Sequence, residues 1–140
     1  MINAIYIYRI ANLLYRYKVP LIPSFLKLVI FLVYNSSIPY QCTIGKGTRL
    51  GYGGIGVVIH KRAIIGNHVM IGTNVTIGGK SGHYDVPKIG NNVYISTGAA
   101  VLGPIVIEDN AVIGANAVVI CDVVKDAVVG GVPAKELKTK

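Results

Sequence analysis

A base, a phenol and a carboxylate follow one another at His83, Tyr84 and Asp85, inside the segment Gly78–Lys88. An imidazole titrates near neutrality, so it can take a proton from an attacking hydroxyl or amine, and a neighbouring carboxylate can orient it. His83 is therefore the candidate general base and Asp85 its candidate partner; the plain alternative is a solvated loop histidine. His60 is a second candidate, open between contact with a substrate and an ordinary edge position. The three histidines, His60, His68 and His83, lack H-x-x-x-H spacing and cysteine co-ligands, which does not suit zinc, and no metal is expected. No G-x-S-x-G occurs, and Ser81 has no base and orienting group fixed by sequence. Cys42 and Cys121 are too few and too far apart for a disulfide framework, which suits the cytoplasm, and they read as packing or rim residues.

The elements that must position these groups come from a repeat. Aliphatic residues recur nearly every six positions: Ile44, Leu50, Ile59, Ile65, Ile71, Ile77, Ile89, Ile95, Val101, Ile107, Ile113 and Val119. A period of six fits neither an α-helix nor a simple strand and is that of a parallel β-helix. Three positions after the aliphatic come Asn74, Asn92, Asn110 and Asn116, with His68 and Gly98 in the same column. These residue types enter left-handed backbone conformations at low cost, so the column marks turns and His68 reads as structural. The next column, Val69, Val75, Val93, Ala99, Ile105, Ala111, Ala117 and Val123, supplies a second inward side chain per hexad.

Two interruptions break the beat. Between Leu50 and Ile59 three extra residues make a corner, expected to bulge flexibly. The letters Gly51-Tyr-Gly-Gly-Ile-Gly56 imitate a dinucleotide-binding fingerprint, but no helix pattern or acidic residue follows at the required distance. Between Ile77 and Ile89 six extra residues make a loop, the usual place for a site on a regular scaffold. His60 lies three hexads before that loop, hence on the same face one coil below.

Residues 1–40 stand apart as a helical segment and 41–140 as the β-helix domain with a carboxy-terminal cap. Ile2, Tyr6, Ile10, Leu13 and Tyr17 form a helical apolar stripe beside Arg9 and Arg16; Pro20 and Pro23 are expected to end this helix. Ser24 is the expected cap of a second helix, Phe25 to Tyr34. Packing of the stripe on the rod or on a neighbouring subunit is one expectation. Peripheral contact of residues 1–34 with an anionic membrane is the other. No acidic residue precedes Asp85, whereas nine Lys and Arg do, giving the first 84 residues a charge of +9 within a total of +8. Such a field draws phosphorylated ligands or anionic lipid. Nucleic acid is not expected, since no recognition helix or aromatic platform accompanies the charge. From Lys125 the beat fades into a closing strand, a proline turn and a short tail. No secretory pattern opens the chain, and the expected location is cytoplasmic, at the inner face of the membrane if the leader binds lipid.

From about Ile38 to Leu137 the chain resembles the left-handed β-helix acyltransferases, most closely the serine acetyltransferase group. The resemblance rests on I-G-K-G at Ile44–Gly47, G-V-V-I-H-K-R-A-I-I-G-N at Gly56–Asn67 and N-V-T-I-G-G-K-S-G at Asn74–Gly82. It continues through P-K-I-G-N-N-V at Pro87–Val93, G-A-A-V-L-G-P-I at Gly98–Ile105, I-G-A-N-A-V-V at Ile113–Val119 and G-V-P-A-K at Gly131–Lys135. It implies an all-β, left-handed prism, a homotrimer and acetyl-CoA as co-substrate. It further implies an oxyanion contact near Gly79, pantetheine along Gly98, Ala99 and Ala117, and Lys135 near the nucleotide phosphates. The group's catalytic histidine, however, aligns with Gly53, its aspartate near Ser37, and its loop histidine and adjacent arginine with Val86 and Asp85. The compact form with an amphipathic leader resembles acetyltransferases that accompany surface-polysaccharide synthesis. The expected activity is O-acetylation of a small molecule or polysaccharide sugar. N-acetylation of a nucleotide-linked amino sugar and a non-catalytic scaffold are the alternatives.

Overall fold

Each hexad folds as a two-residue strand with one side chain out and one in, followed by a turn. The structure, a computed structural model, describes residues 2–139. Three parallel faces result. One stacks β1 (Thr43–Ile44), β4 (Ile64–Ile65), β7 (Lys88–Ile89) and β10 (Val106–Ile107). The second stacks β2 (Arg49–Leu50), β5 (Met70–Ile71), β8 (Tyr94–Ile95), β11 (Val112–Ile113) and β13 (Ala127–Gly130). The third stacks β3 (Val58–Ile59), β6 (Thr76–Gly78), β9 (Ala100–Leu102) and β12 (Val118–Val119). The winding is the left-handed parallel β-helix. All twelve hexad aliphatics and all eight residues of the second inward column are buried.

The turns follow the residue types. His68, Asn74, Asn92, Asn110 and Asn116 all take left-handed φ, between 55° and 64°. At Gly98 φ is 75°, and a Cβ there would lie 1.9 Å from Asn116 Oδ1, so both conformation and space require glycine. A second column stitches the coils. Asn67 Oδ1 accepts from the Lys46 amide, Asn91 Oδ1 from the Asn67 amide and Asp109 Oδ1 from the Asn91 amide. Successive members are 21, 24 and 18 residues apart. The regular coil is thus 18 residues, and the two interruptions add three and six without breaking register.

Two helices close the amino-terminal end: α1 (Ala4–Arg16) and α2 (Ile22–Tyr34). Asn3 caps α1 by accepting from the Ile5 amide. The structure corrects three expectations here. The stripe Ile2, Tyr6, Ile10, Leu13 and Tyr17 does not pack on the rod but faces outward, which leaves the expectations of a neighbouring subunit and of a membrane standing; Ala4, Ile5, Tyr8 and Ala11 face the rod instead. Small alanines let α1 approach closely, and polar side chains secure it. The Tyr8 hydroxyl donates to the Cys42 carbonyl, and Arg9 donates to the carbonyls of Ile44 and Gly45. Pro23 does not end a helix but sits in the first turn of α2, where its missing N–H costs nothing. The N-cap is Leu21, at φ 68° and without a side-chain bond, rather than Ser24.

The three-residue corner is a 3-10 turn, Gly51–Gly53, and it is tied down rather than loose. Gly54 packs against Leu50 and Ala4, Ser36 Oγ donates to its carbonyl, and the Gly56 amide donates to Tyr34 O. At the far end the expected tail is a strand, β14 (Lys135–Thr139), antiparallel to β13. This reversal covers the last coil's edge, which would otherwise template further pairing.

Candidate active site at the root of the long loop

β3 and β6 are hydrogen-bonded neighbours, which places His60, just past Ile59, directly beneath the root of the long loop at Gly78–Gly79. The His60 amide donates to Ile77 O at 2.8 Å. A Cβ on Gly79 would lie 3.7 Å from His60 Cδ2 and 3.9 Å from Nε2, so the ring lies alongside this glycine. The Arg62 amide donates to His60 Nδ1 at 3.1 Å. A nitrogen that accepts has no proton of its own, so this bond assigns the neutral ring's proton to Nε2. Burial, then the charges of Arg62 and Lys61, hold the His60 pKa below its ordinary value, which keeps the ring neutral at pH 7. His60 is thus a neutral N–H donor on the Gly79 side and not a free lone pair.

The loop carries His83 and Asp85, both exposed. The turn that presents His83 is closed by its amide donating to Lys80 O at 3.0 Å, with Gly82 at φ 83°. The contact holding the loop to the coil below runs through Tyr84. The Arg62 guanidinium stacks on its ring, 4.0 Å from the centroid, and donates to its carbonyl. The sequence reading missed Arg62, because nothing in a string of letters pairs it with a residue 22 positions on.

Beside the loop root opens a groove of about 540 Å³ lined by Gly79, Lys80, Leu102, Pro104, Ile105, Ile120, Cys121 and Asp122. Its lining is mostly apolar, with one cation, Lys80, from the loop and one carboxylate, Asp122. Among the other candidates, Gly98 occupies a corner, while the side chains of Ala99 and Ala117 are fully buried in the core. The amides of Ala99 and Ala117 close their own turns onto Ser96 O and Gly114 O. Lys135 is exposed at the start of β14. Of the four residues aligned with the resembled group's machinery, Asp85 is a carboxylate and the other three hold no base or cation. Gly53 is in the 3-10 turn, Ser37 bridges to Val58, and Val86 is buried against the loop root. Among the described residues no three His, Cys, Asp or Glu side chains gather as a metal site.

A prism of hexads is the hexapeptide-repeat architecture, and the bacterial transferase hexapeptide (six repeats) family matches residues 87–121. The serine acetyltransferase of Synechococcus elongatus is 37% identical over 135 residues, covering 95% of this chain and 55% of the relative. That of Helicobacter pylori strain J99 is 34% identical over 139 residues, covering 97% of this chain and 80% of the relative. The crystal structure of Neisseria gonorrhoeae serine acetyltransferase superposes with a TM-score of 0.89 at 37% identity, over 97% of this chain and 54% of that one. A serine acetyltransferase solved in complex with CoA gives a TM-score of 0.86 at 33% identity, over 96% and 55%. The chain belongs to the serine acetyltransferase family. It spans about half the length of the solved relatives it matches.

Proposed function

We propose that the chain is an acetyl-CoA-dependent O-acetyltransferase acting on the hydroxyl of a small acceptor. The observation that carries this reading is a single coincidence. The stretch similar to serine acetyltransferases takes in the whole prism, and its longest interruption carries His83, lies with Gly79 against the His60 ring and gives Gly79 and Lys80 to an apolar groove. The groove suits a pantetheine arm, with Lys80 in its lining, and Lys135 serves phosphates as a point charge. A homotrimer would close the groove's open side. Gly98, Ala99 and Ala117 enter only through their backbone, since the two alanine side chains point into the core.

The division of labour follows from protonation. His83 accepts the proton of the acceptor hydroxyl as its oxygen attacks the thioester carbonyl. His60, already carrying hydrogen on Nε2, donates to the oxygen on which negative charge grows, beside the Gly79 amide. The imidazolium of His83 then returns its proton to the departing CoA thiolate. Asp85 stabilises that imidazolium. Each proton is accounted for, and the acyl group moves directly to the acceptor within one ternary complex.

Serine is the first acceptor to test, by similarity. A neutral sugar hydroxyl is the second, and one observation favours it: Asp85 puts a carboxylate where the resembled group has an arginine, which repels an acceptor that carries its own carboxylate. The test is acceptor-dependent thiol release from acetyl-CoA with serine, free sugars and nucleotide sugars, followed by product analysis for ester or amide. Ester product with any of these supports the reading. Amide product identifies an N-acetyltransferase, and no release with any acceptor leaves a scaffold.

A further inference from the structure

The outward side of the helical hairpin exposes a run of large apolar side chains. On α2, Phe25, Leu28 and Leu32 follow at i, i+3 and i+7, which is one helical face, and they are exposed together with the N-cap Leu21. Phe25 is 62% and Leu32 70% exposed. α1 adds its own outward stripe, from Tyr6 to Tyr17. A helix that is apolar all round normally lies inside something. No described helix is long and apolar enough to cross a membrane.

Charge selects the covering partner. Arg16, Lys18 and Lys27 are exposed around this face, and no Asp or Glu occurs before Asp85. A second copy would bring the same cations against one another without a single carboxylate from either hairpin. An anionic lipid surface would neutralise them while taking up the apolar side chains. The local shape agrees. A shallow groove of about 210 Å³ places Lys27 and the hydroxyls of Ser24 and Ser37 beside Leu28 and Phe31, a cation and hydroxyls next to apolar walls. We propose that the outward face of α2 and the tip between the helices, Tyr17 to Leu21, dock the protein on an anionic membrane surface, lying in the interface without spanning it.

The test uses the full chain with vesicles of phosphatidylcholine alone or containing 30 mol% phosphatidylglycerol (roughly the anionic density at which polybasic segments bind), read by co-sedimentation. Binding is expected on the anionic vesicles alone and should weaken as salt screens the cations. Phe25→Ser/Leu32→Ser should abolish it. Lys18→Gln/Lys27→Gln should weaken it about 25-fold, roughly fivefold for each cation lost. Amide hydrogen exchange in α2 of the unaltered chain should slow when anionic vesicles are added, a readout that no folding defect can mimic. Unchanged exchange, or equal binding by Phe25→Ser/Leu32→Ser, overturns the proposal. So does a fall in oligomer size in that variant by sedimentation velocity, which would give the face to a second copy. Thiol release in solution is measured separately, so failure of docking and failure of the acetyl-transfer reading are distinct results.

Discussion

Arg62→Ala removes a side chain that does not line the groove yet fastens the loop bearing His83. Two interactions are lost: the stack on the Tyr84 ring and the hydrogen bond to its carbonyl. An exposed cation–π contact is worth about 0.5–1 kcal/mol and a net hydrogen bond about 1 kcal/mol. Together they hold the loop by about 1.5–2 kcal/mol, roughly tenfold to thirtyfold in the ratio of docked to undocked loop. Reaction requires the docked form, so kcat/KM for the acceptor should fall by roughly threefold to thirtyfold, depending on how firmly the remaining loop contacts hold it. Tyr84→Ala should lose the ring stack but keep the carbonyl bond, giving a smaller defect. Combining the two should cost less than the product of the separate losses. Arg62→Lys keeps the charge without the planar fork and should behave closer to alanine than to wild type. Arg62→Ala also removes one of the two charges that lower the His60 pKa, so the His60 ring should titrate closer to the ordinary histidine value. Thiol release reads the first effect, and NMR titration of the ring across pH 5–8, roughly the range of histidine titration, reads the second. Wild-type kcat/KM in Arg62→Ala would refute the clasp, and so would strict additivity with Tyr84→Ala.

Further outcomes follow from the same coordinates. His83→Ala should lower kcat about 10²- to 10⁴-fold with unchanged thermal stability, the range for loss of a general base; full activity would remove His83 from the reaction. His60→Gln places an amide N–H near the former Nε2 and should retain far more activity than His60→Ala, whereas equal loss in both would make His60 the base. Because the folded His60 pKa lies below its unfolded value, the unfolded chain binds the extra proton. Stability should therefore be intact at pH 7 and decline as pH falls below about 6.5 through the lower folded value, and His60→Gln should flatten that decline in denaturant titrations at several pH values. Cys42 is buried with its thiol pushed up to about 12 by burial, while Cys121 is exposed in the groove lining. Maleimide should thus add once, at Cys121, and CoA should slow the addition, as mass spectrometry would show. Gly98→Ala forces a left-handed alanine and a contact 1.9 Å from Asn116 Oδ1. The cost should be about 2–4 kcal/mol, or roughly 10 °C in Tm by calorimetry.

The prism was legible in the sequence because its determinants are local and repeated. An inward aliphatic every six residues, a left-handed Asn or Gly at each turn and a second small inward residue leave one architecture, and all of those positions are buried or left-handed as expected. The placement of His60 under the loop was legible for the same reason, since counting hexads counts faces. Orientation of α1 was not. A helical stripe of large apolar residues suggests a buried face, but Ala4 and Ala11 bring the backbone close enough for Tyr8, Arg9 and Asn12 to bond rod carbonyls, and that side won. The proton position on His60 was hidden as well, because it depends on the Arg62 amide in the turn that follows.

Why the site lies at this corner can be argued from packing alone. Two inward side chains per hexad occupy the prism interior, so a ligand must bind outside it. The outer surface has two large interruptions. The first is plugged: Gly54 lies under Ala4, its carbonyl takes the Ser36 hydroxyl, and the amino-terminal helices cover it. The second stands free of the helices and carries six extra residues over an apolar groove. In the proposed reaction a base on that loop works with an N–H donor on the coil below. In such a design a loop mutation should act on the population of the docked state, whereas a change at His60 should act on the chemical step itself.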